Sequence, residues 1–191
     1  MRLSILMLAV LAIGCEVQID EPAKPCDSPC PGGVCPVQQV SAVTWAQIPV
    51  RLRAENYGPS CGHASLETVL RWQGLHKMAD WWRRNHWGAY SVDSMAVDCD
   101  RAGLRFAYTT NGDAAFLDWC ARTRRGAAIH YFDRHAVTFA GYRIGKAVLI
   151  DNNNTRRDIE IPRAEFVAMW KAYGGRALTV VYSPPPPKPW I

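Results

Sequence analysis

No stretch constrains this chain as tightly as Asn56-Tyr57-Gly58-Pro59-Ser60-Cys61-Gly62-His63-Ala64-Ser65. Gly58-Pro59 demands a tight loop, and Ser60 is a good residue to cap a helix. Leu66, Val69 and Leu70 follow at helical spacing and Gly74 supplies the stop, so the pattern predicts a helix whose first residue is a cysteine. A thiol placed there feels the unpaired N–H groups and positive end of the helix, which favour thiolate over thiol. Gly62 opens space beside it. The commonest fate of a free cysteine is burial, and Cys99 and Cys120, inside amphipathic patterns, fit that fate or a disulfide.

A nucleophilic thiol needs a base. His135 opens the alternating run His135-Ala136-Val137-Thr138-Phe139-Ala140-Gly141, and Asp151 ends the apolar run of residues 147–150. A turn between Tyr142 and Lys146 folds the two runs into a hairpin, which brings His135 close to Asp151 and Asn152. A carboxylate or amide there can hold one imidazole nitrogen and aim the other at the thiol. His63 follows Cys61 on the same helix and diverges from it by more than half a turn. His76 and His86 stand beside tryptophans without a motif, and His130 is the rival base. Residues 151–154 also read as a polar turn, and they lack the glycine and terminal glutamate of a calcium loop.

Cysteine on a helix, then histidine and aspartate on successive strands, resembles the papain-like cysteine peptidases. Among these it is most similar to the double-glycine-leader, bacteriocin-processing type. The resemblance spans residues 56–182 and rests on the Cys61 loop and the His135/Asp151 hairpin. It implies an α+β fold with N-terminal helices packed on an antiparallel sheet, a Cys61-His135-Asp151 triad, a peptide or protein substrate, and no metal or organic cofactor. Such enzymes place an oxyanion-binding glutamine about six residues before the nucleophile, where this chain has Glu55. An ionised carboxylate would repel the oxyanion, so Asn56, with the backbone N–H of Cys61, is the expected donor. Two other readings of the same residues are an inactive papain-like module that binds peptide or cell-wall material, and a transglutaminase-like acyl transferase.

The remaining chain fits an exported protein. Arg2 and the apolar residues 3–13 form a leader, too short to span a membrane, and Cys15 follows it. This resembles a lipoprotein signal (residues 1–14), with Cys15 lipidated and the protein anchored to the bacterial envelope, at the outer membrane in a Gram-negative cell. Residues 15–43, rich in proline and holding Cys26, Cys30 and Cys35, read as a tether. Disulfides suit that setting better than a metal, although spacing alone leaves the pairing open. Residues 44–183 make one domain, expected to be a monomer, and residues 184–191 a stiff proline-rich tail. With 49% hydrophobic and 20% charged residues, a sizeable core is available. The net charge of +5 is modest, and Arg83-Arg84 and Arg122-Thr123-Arg124-Arg125 come without a nucleic-acid motif, so nucleic acid is not an expected partner. Helices are expected over residues 76–86, 91–103, 114–122 and 162–173. Strands are expected over 104–108, 127–132, 135–142, 146–150 and 177–182.

Overall fold

The computed structural model describes residues 47–132 and 135–183. The expected leader, Cys15, the tether with its three cysteines, and the tail lie outside the described residues. A 3₁₀ turn at Val50–Leu52 leads into α1 (Cys61–Trp72), α2 (His76–Asn85) and α3 (Val92–Arg101). Then come β1 (Phe106–Thr109), α4 (Ala114–Arg122), β2 (Ala127–His130), β3 (Ala136–Arg143), β4 (Lys146–Ile150), β5 (Asp158–Pro162), α5 (Arg163–Ala172) and β6 (Ala177–Val180). The strands form one six-stranded sheet in the order β1-β6-β2-β3-β4-β5, and every pairing is antiparallel. This is the expected α+β fold.

Local chemistry sets the element ends. Ser91 Oγ accepts the Ser94 N–H at 3.1 Å and Asp113 Oδ1 accepts the Ala115 N–H at 2.9 Å, capping α3 and α4. Gly74, with φ +80°, ends α1, and the Leu75 N–H closes back on the Leu70 carbonyl at 2.9 Å. The β3–β4 hairpin turns on Ile144 and Gly145, both left-handed at φ +48° and +72°. That geometry matches the twist of the flanking strands, although an isoleucine seldom adopts it.

Period-2 alternation sends the two faces of the sheet into different cores. On one face Ala128, Leu178 and Val180 meet Leu66, Val69 and Leu70 of α1, Trp82 of α2 and Met95 of α3. On the other, Ile129, Val137, Phe139 and Leu149 meet Leu117 of α4 and Phe166 and Trp170 of α5. Each large side chain so buried contributes roughly 1.5–3 kcal/mol. The N-terminal helices therefore cover one face as expected, while α4 and α5 cover the reverse. Cys99 lies in the first core and Cys120 in the second, both buried and free, so they are core residues and not a disulfide pair.

Two expectations need correction. No strand was expected over residues 158–162, yet β5 pairs with β4 there, and α5 begins only after Pro162. β3 starts at Ala136, one residue after His135, and β2 ends at His130; the Tyr131 N–H donates to the His135 carbonyl at 2.8 Å. Within the arginine runs, two members serve the fold. Arg83 bonds Glu67 and lies over the Tyr57 ring, and Arg125 donates to the Tyr182 carbonyl while lying over Trp119.

Candidate active site

Cys61, half-buried, is the first residue of α1. Ser60 does not cap that helix with its side chain; its hydroxyl instead accepts the Gly88 N–H at 2.9 Å. The first N–H groups of the helix are thus not taken up by the Ser60 side chain. Gly62 also acts differently from expectation. A Cβ there would meet the Tyr90 carbonyl at 3.3 Å and Met95 Sδ at 3.4 Å, so the missing side chain admits the chain leading into α3 instead of opening space beside the thiol.

The hairpin brings His135 and Asp151 to this point. His135 Nε2 lies 2.9 Å from Asp151 Oδ1, which also accepts the Asn153 N–H at 2.9 Å. The carboxylate is therefore fixed by its own turn, and the turn and pairing readings of residues 151–154 both hold. With Nε2 engaged, Nδ1 is the nitrogen left for the thiol. The Ala136 N–H points at Cys61 Sγ from 3.4 Å. Burial pushes the Cys61 thiol up, but hydrogen bonds from His135 and from the Ala136 and Gly62 N–H groups, with the imidazolium charge, outweigh it and leave the thiol below its ordinary value. His135 rises to about 9, chiefly through its hydrogen bond with Cys61; burial opposes the rise and Asp151 adds to it. These shifts favour a thiolate–imidazolium pair.

Asn152 enters the sequence reading only as a neighbour of Asp151, and the structure gives it a larger part. It is 2% exposed, and its Nδ2 donates toward the carbonyls of Cys61 (2.9 Å) and Ala136 (2.8 Å) and toward Ser65 Oγ (3.0 Å). One side chain thereby bolts the start of α1 to the start of β3, the two elements that carry the thiol and the imidazole. Asparagine in a polar run looks like any turn residue, so only the composition Asp-Asn after a strand hinted at it.

Asn56 is tied to the same turn. Its backbone N–H donates to the Asn152 carbonyl at 2.8 Å and its Nδ2 to Asn153 Oδ1 at 3.0 Å. The structure thus places Asn56 against the turn that holds Asp151. Beside it Glu55 is exposed, and its carbonyl accepts from Arg83 Nη1 at 3.3 Å. Arg83 is held in turn by Glu67, fully buried on α1, at 3.0 Å, and lies 4.3 Å over the Tyr57 ring. Residues 55–57 are clamped from both sides.

His63 points into a buried cluster where its Nδ1 accepts from Trp82 Nε1 at 3.2 Å, among the rings of His86 and Tyr90. Burial first, then the neighbouring His86, lowers it to about 4, against a smaller opposing pull from Asp98. His76 is exposed at the start of α2, and His130 ends β2 with its N–H on the Arg176 carbonyl at 3.0 Å. Among the described residues no three His, Cys, Asp or Glu side chains are grouped to hold a metal ion, and no helix is long and apolar enough to cross a membrane.

Neither protein-family models nor curated proteins give a match to the sequence. The fold is similar to that of a C39-like peptidase from Bacillus anthracis, with a TM-score of 0.57 and 13% identity, over 74% of this chain and 98% of that one. It is also similar to the peptidase domain of Streptococcus ComA, a bifunctional ABC transporter of a quorum-sensing pathway. There the TM-score is 0.51 and the identity 15%, over 68% of this chain and 96% of that domain. At such identities the likeness is one of fold.

Proposed function

We propose that the chain is a papain-like cysteine peptidase of the C39 type in which Cys61 is the nucleophile, His135 the acid–base and Asp151 its orienting partner. The observation that carries this reading is the convergence of a thiol, an imidazole and a carboxylate, with the His135–Asp151 contact at 2.9 Å and the thiol held below its ordinary pKa. The fold shared with C39 peptidase domains supports it.

In the reaction, Cys61 Sγ attacks the amide carbonyl carbon and the carbonyl oxygen takes up negative charge. The His135 imidazolium gives its proton to the departing nitrogen, the C–N bond breaks, and an acyl thioester remains on Cys61. Neutral His135 then takes a proton from water, whose oxygen attacks the thioester; the acid leaves and the thiolate returns. The Cys61 N–H and the second Nδ2 hydrogen of Asn56 are the proposed oxyanion donors. Glu55 is compatible with this because its carboxylate faces water, where its repulsion is screened. The substrate is a peptide segment, cell-wall peptide included. Anchoring through a lipid on Cys15 is proposed from residues 1–15 alone, and Cys15→Ser should release the protein from membranes.

Incubating the purified protein with a mixed peptide library tests the activity. Cleavage that Cys61→Ala abolishes supports the reading. No cleavage by a protein whose Cys61 is also unreactive to alkylation would refute it.

A further inference from the structure

Residues 86–90 join α2 to α3 and carry Trp87, 72% exposed and the most exposed tryptophan among the described residues. Single exposed aromatics are common on protein surfaces. What distinguishes this one is how firmly it is set beside Cys61. The Gly88 N–H donates to Ser60 Oγ at 2.9 Å and Tyr57 Oη donates to the His86 carbonyl at 3.3 Å. The Tyr90 carbonyl would meet a Cβ on Gly62 at 3.3 Å. The segment is thus pinned to residues immediately before and after the thiol. Trp87 itself lies on Gly58, where a Cβ would sit 3.5 Å from Nε1 and 3.7 Å from Cζ2. Gly58 is left-handed, at φ +67°, and has no side chain, so the indole can lie against the loop backbone while most of its surface faces water. Tyr90, 43% exposed, is on the same segment. An apolar plane held on the loop that leads into a nucleophile is a surface for a substrate side chain to meet.

We propose that Trp87 is a specificity-determining subsite that receives an apolar or aromatic side chain of the peptide substrate near the scissile bond. The inference rests on the cysteine-peptidase reading. Covering the exposed part of an indole with an aromatic or branched aliphatic side chain gives a preference of about 10-fold over a carboxylate side chain. A tyrosine or phenylalanine at position 87 would keep the plane, and an alanine would remove it.

The test uses two kinds of alkylating reagent on the full chain, with Cys61 modification followed by mass spectrometry. Iodoacetamide carries no side chain. Tripeptidyl chloromethyl ketones, in which Sγ displaces chloride from the methylene carbon, carry Phe, Leu, Ser or Asp at each position in turn. The unaltered protein should react about 10-fold faster with Phe or Leu than with Asp at one position. Trp87→Ala should lose most of that preference, Trp87→Phe should retain it, and iodoacetamide should label all three proteins at rates within about 2-fold. Absence of any apolar preference, or a preference that survives Trp87→Ala, overturns the subsite while leaving the peptidase reading standing. Failure of iodoacetamide to label Cys61 in the unaltered protein overturns the peptidase reading, and the subsite with it.

Discussion

His135 Nε2 stands 2.9 Å from Asp151 Oδ1, and the same oxygen is held by the Asn153 N–H at 2.9 Å. The carboxylate is therefore oriented before it meets the imidazole, and its charge and hydrogen bond both help to raise His135 to about 9. Peptidase activity needs the protonated imidazole to expel the amine, so it should fall as pH rises through about 9. Asp151→Asn removes the charge and should move that alkaline limb to lower pH, with kcat reduced by about 10²- to 10⁴-fold. A pH–rate profile of the two proteins checks both effects. An unmoved limb would show that Asp151 does not act on His135.

Asn152→Ala tests the bolt between α1 and β3. The two Nδ2 hydrogens shared among the Cys61 and Ala136 carbonyls and Ser65 Oγ are lost, which should cost about 2–3 kcal/mol in urea denaturation. Cys61 should also be alkylated more slowly, because the thiol and imidazole are no longer held in register. A stability within about 0.5 kcal/mol of the unaltered protein would mean that the side chain is no bolt.

The sequence made the reactive groups legible and concealed what holds them. A thiol on a loop–helix junction, a histidine opening one strand and an aspartate closing the next are choices of residue type, and chemistry restricts them severely. The roles of Ser60, Gly62 and Asn152 depend on partners far along the chain: Gly88, Met95, Ser65 and Ala136. Nothing local announces such pairs. β5 escaped because Ile159 and Ile161 alternate with Asp158 and Glu160 on an edge strand that begins in a polar run and ends at a proline. Its pairing with β4 supplies what its composition does not. Trp87 was hidden among eight tryptophans, because exposure cannot be read from residue type.

His63 should make the fold sensitive to acid. It is 1% exposed, and burial first, then the neighbouring His86, pushes it from an ordinary 6.5 down to about 4, against the pull of Asp98. Between those values the unfolded chain binds the proton and the folded protein does not, so stability falls as pH drops through this window and levels off below it. The contribution is about 3 kcal/mol. His63→Gln, which cannot titrate, should flatten the fall between pH 7 and pH 4.5 even if its stability at pH 7 is lower. Parallel curves for the two proteins would place the acid sensitivity elsewhere.

Relative alkylation of the described cysteines tests the central claim most directly. Burial pushes Cys99 up to about 12 and raises Cys120 further, whereas Cys61 lies below its ordinary value through His135, Ala136 and Gly62. Iodoacetamide at pH 6, with sites resolved by peptide mass spectrometry, should modify Cys61 well before Cys99 or Cys120. His135→Ala should slow Cys61 by about 10-fold or more, and Asp151→Ala should slow it less, because the base remains when its orienting partner is gone. Cys61 reacting no faster than Cys99, and at a rate indifferent to His135, would contradict the thiolate–imidazolium pair and leave a peptidase fold without peptidase chemistry.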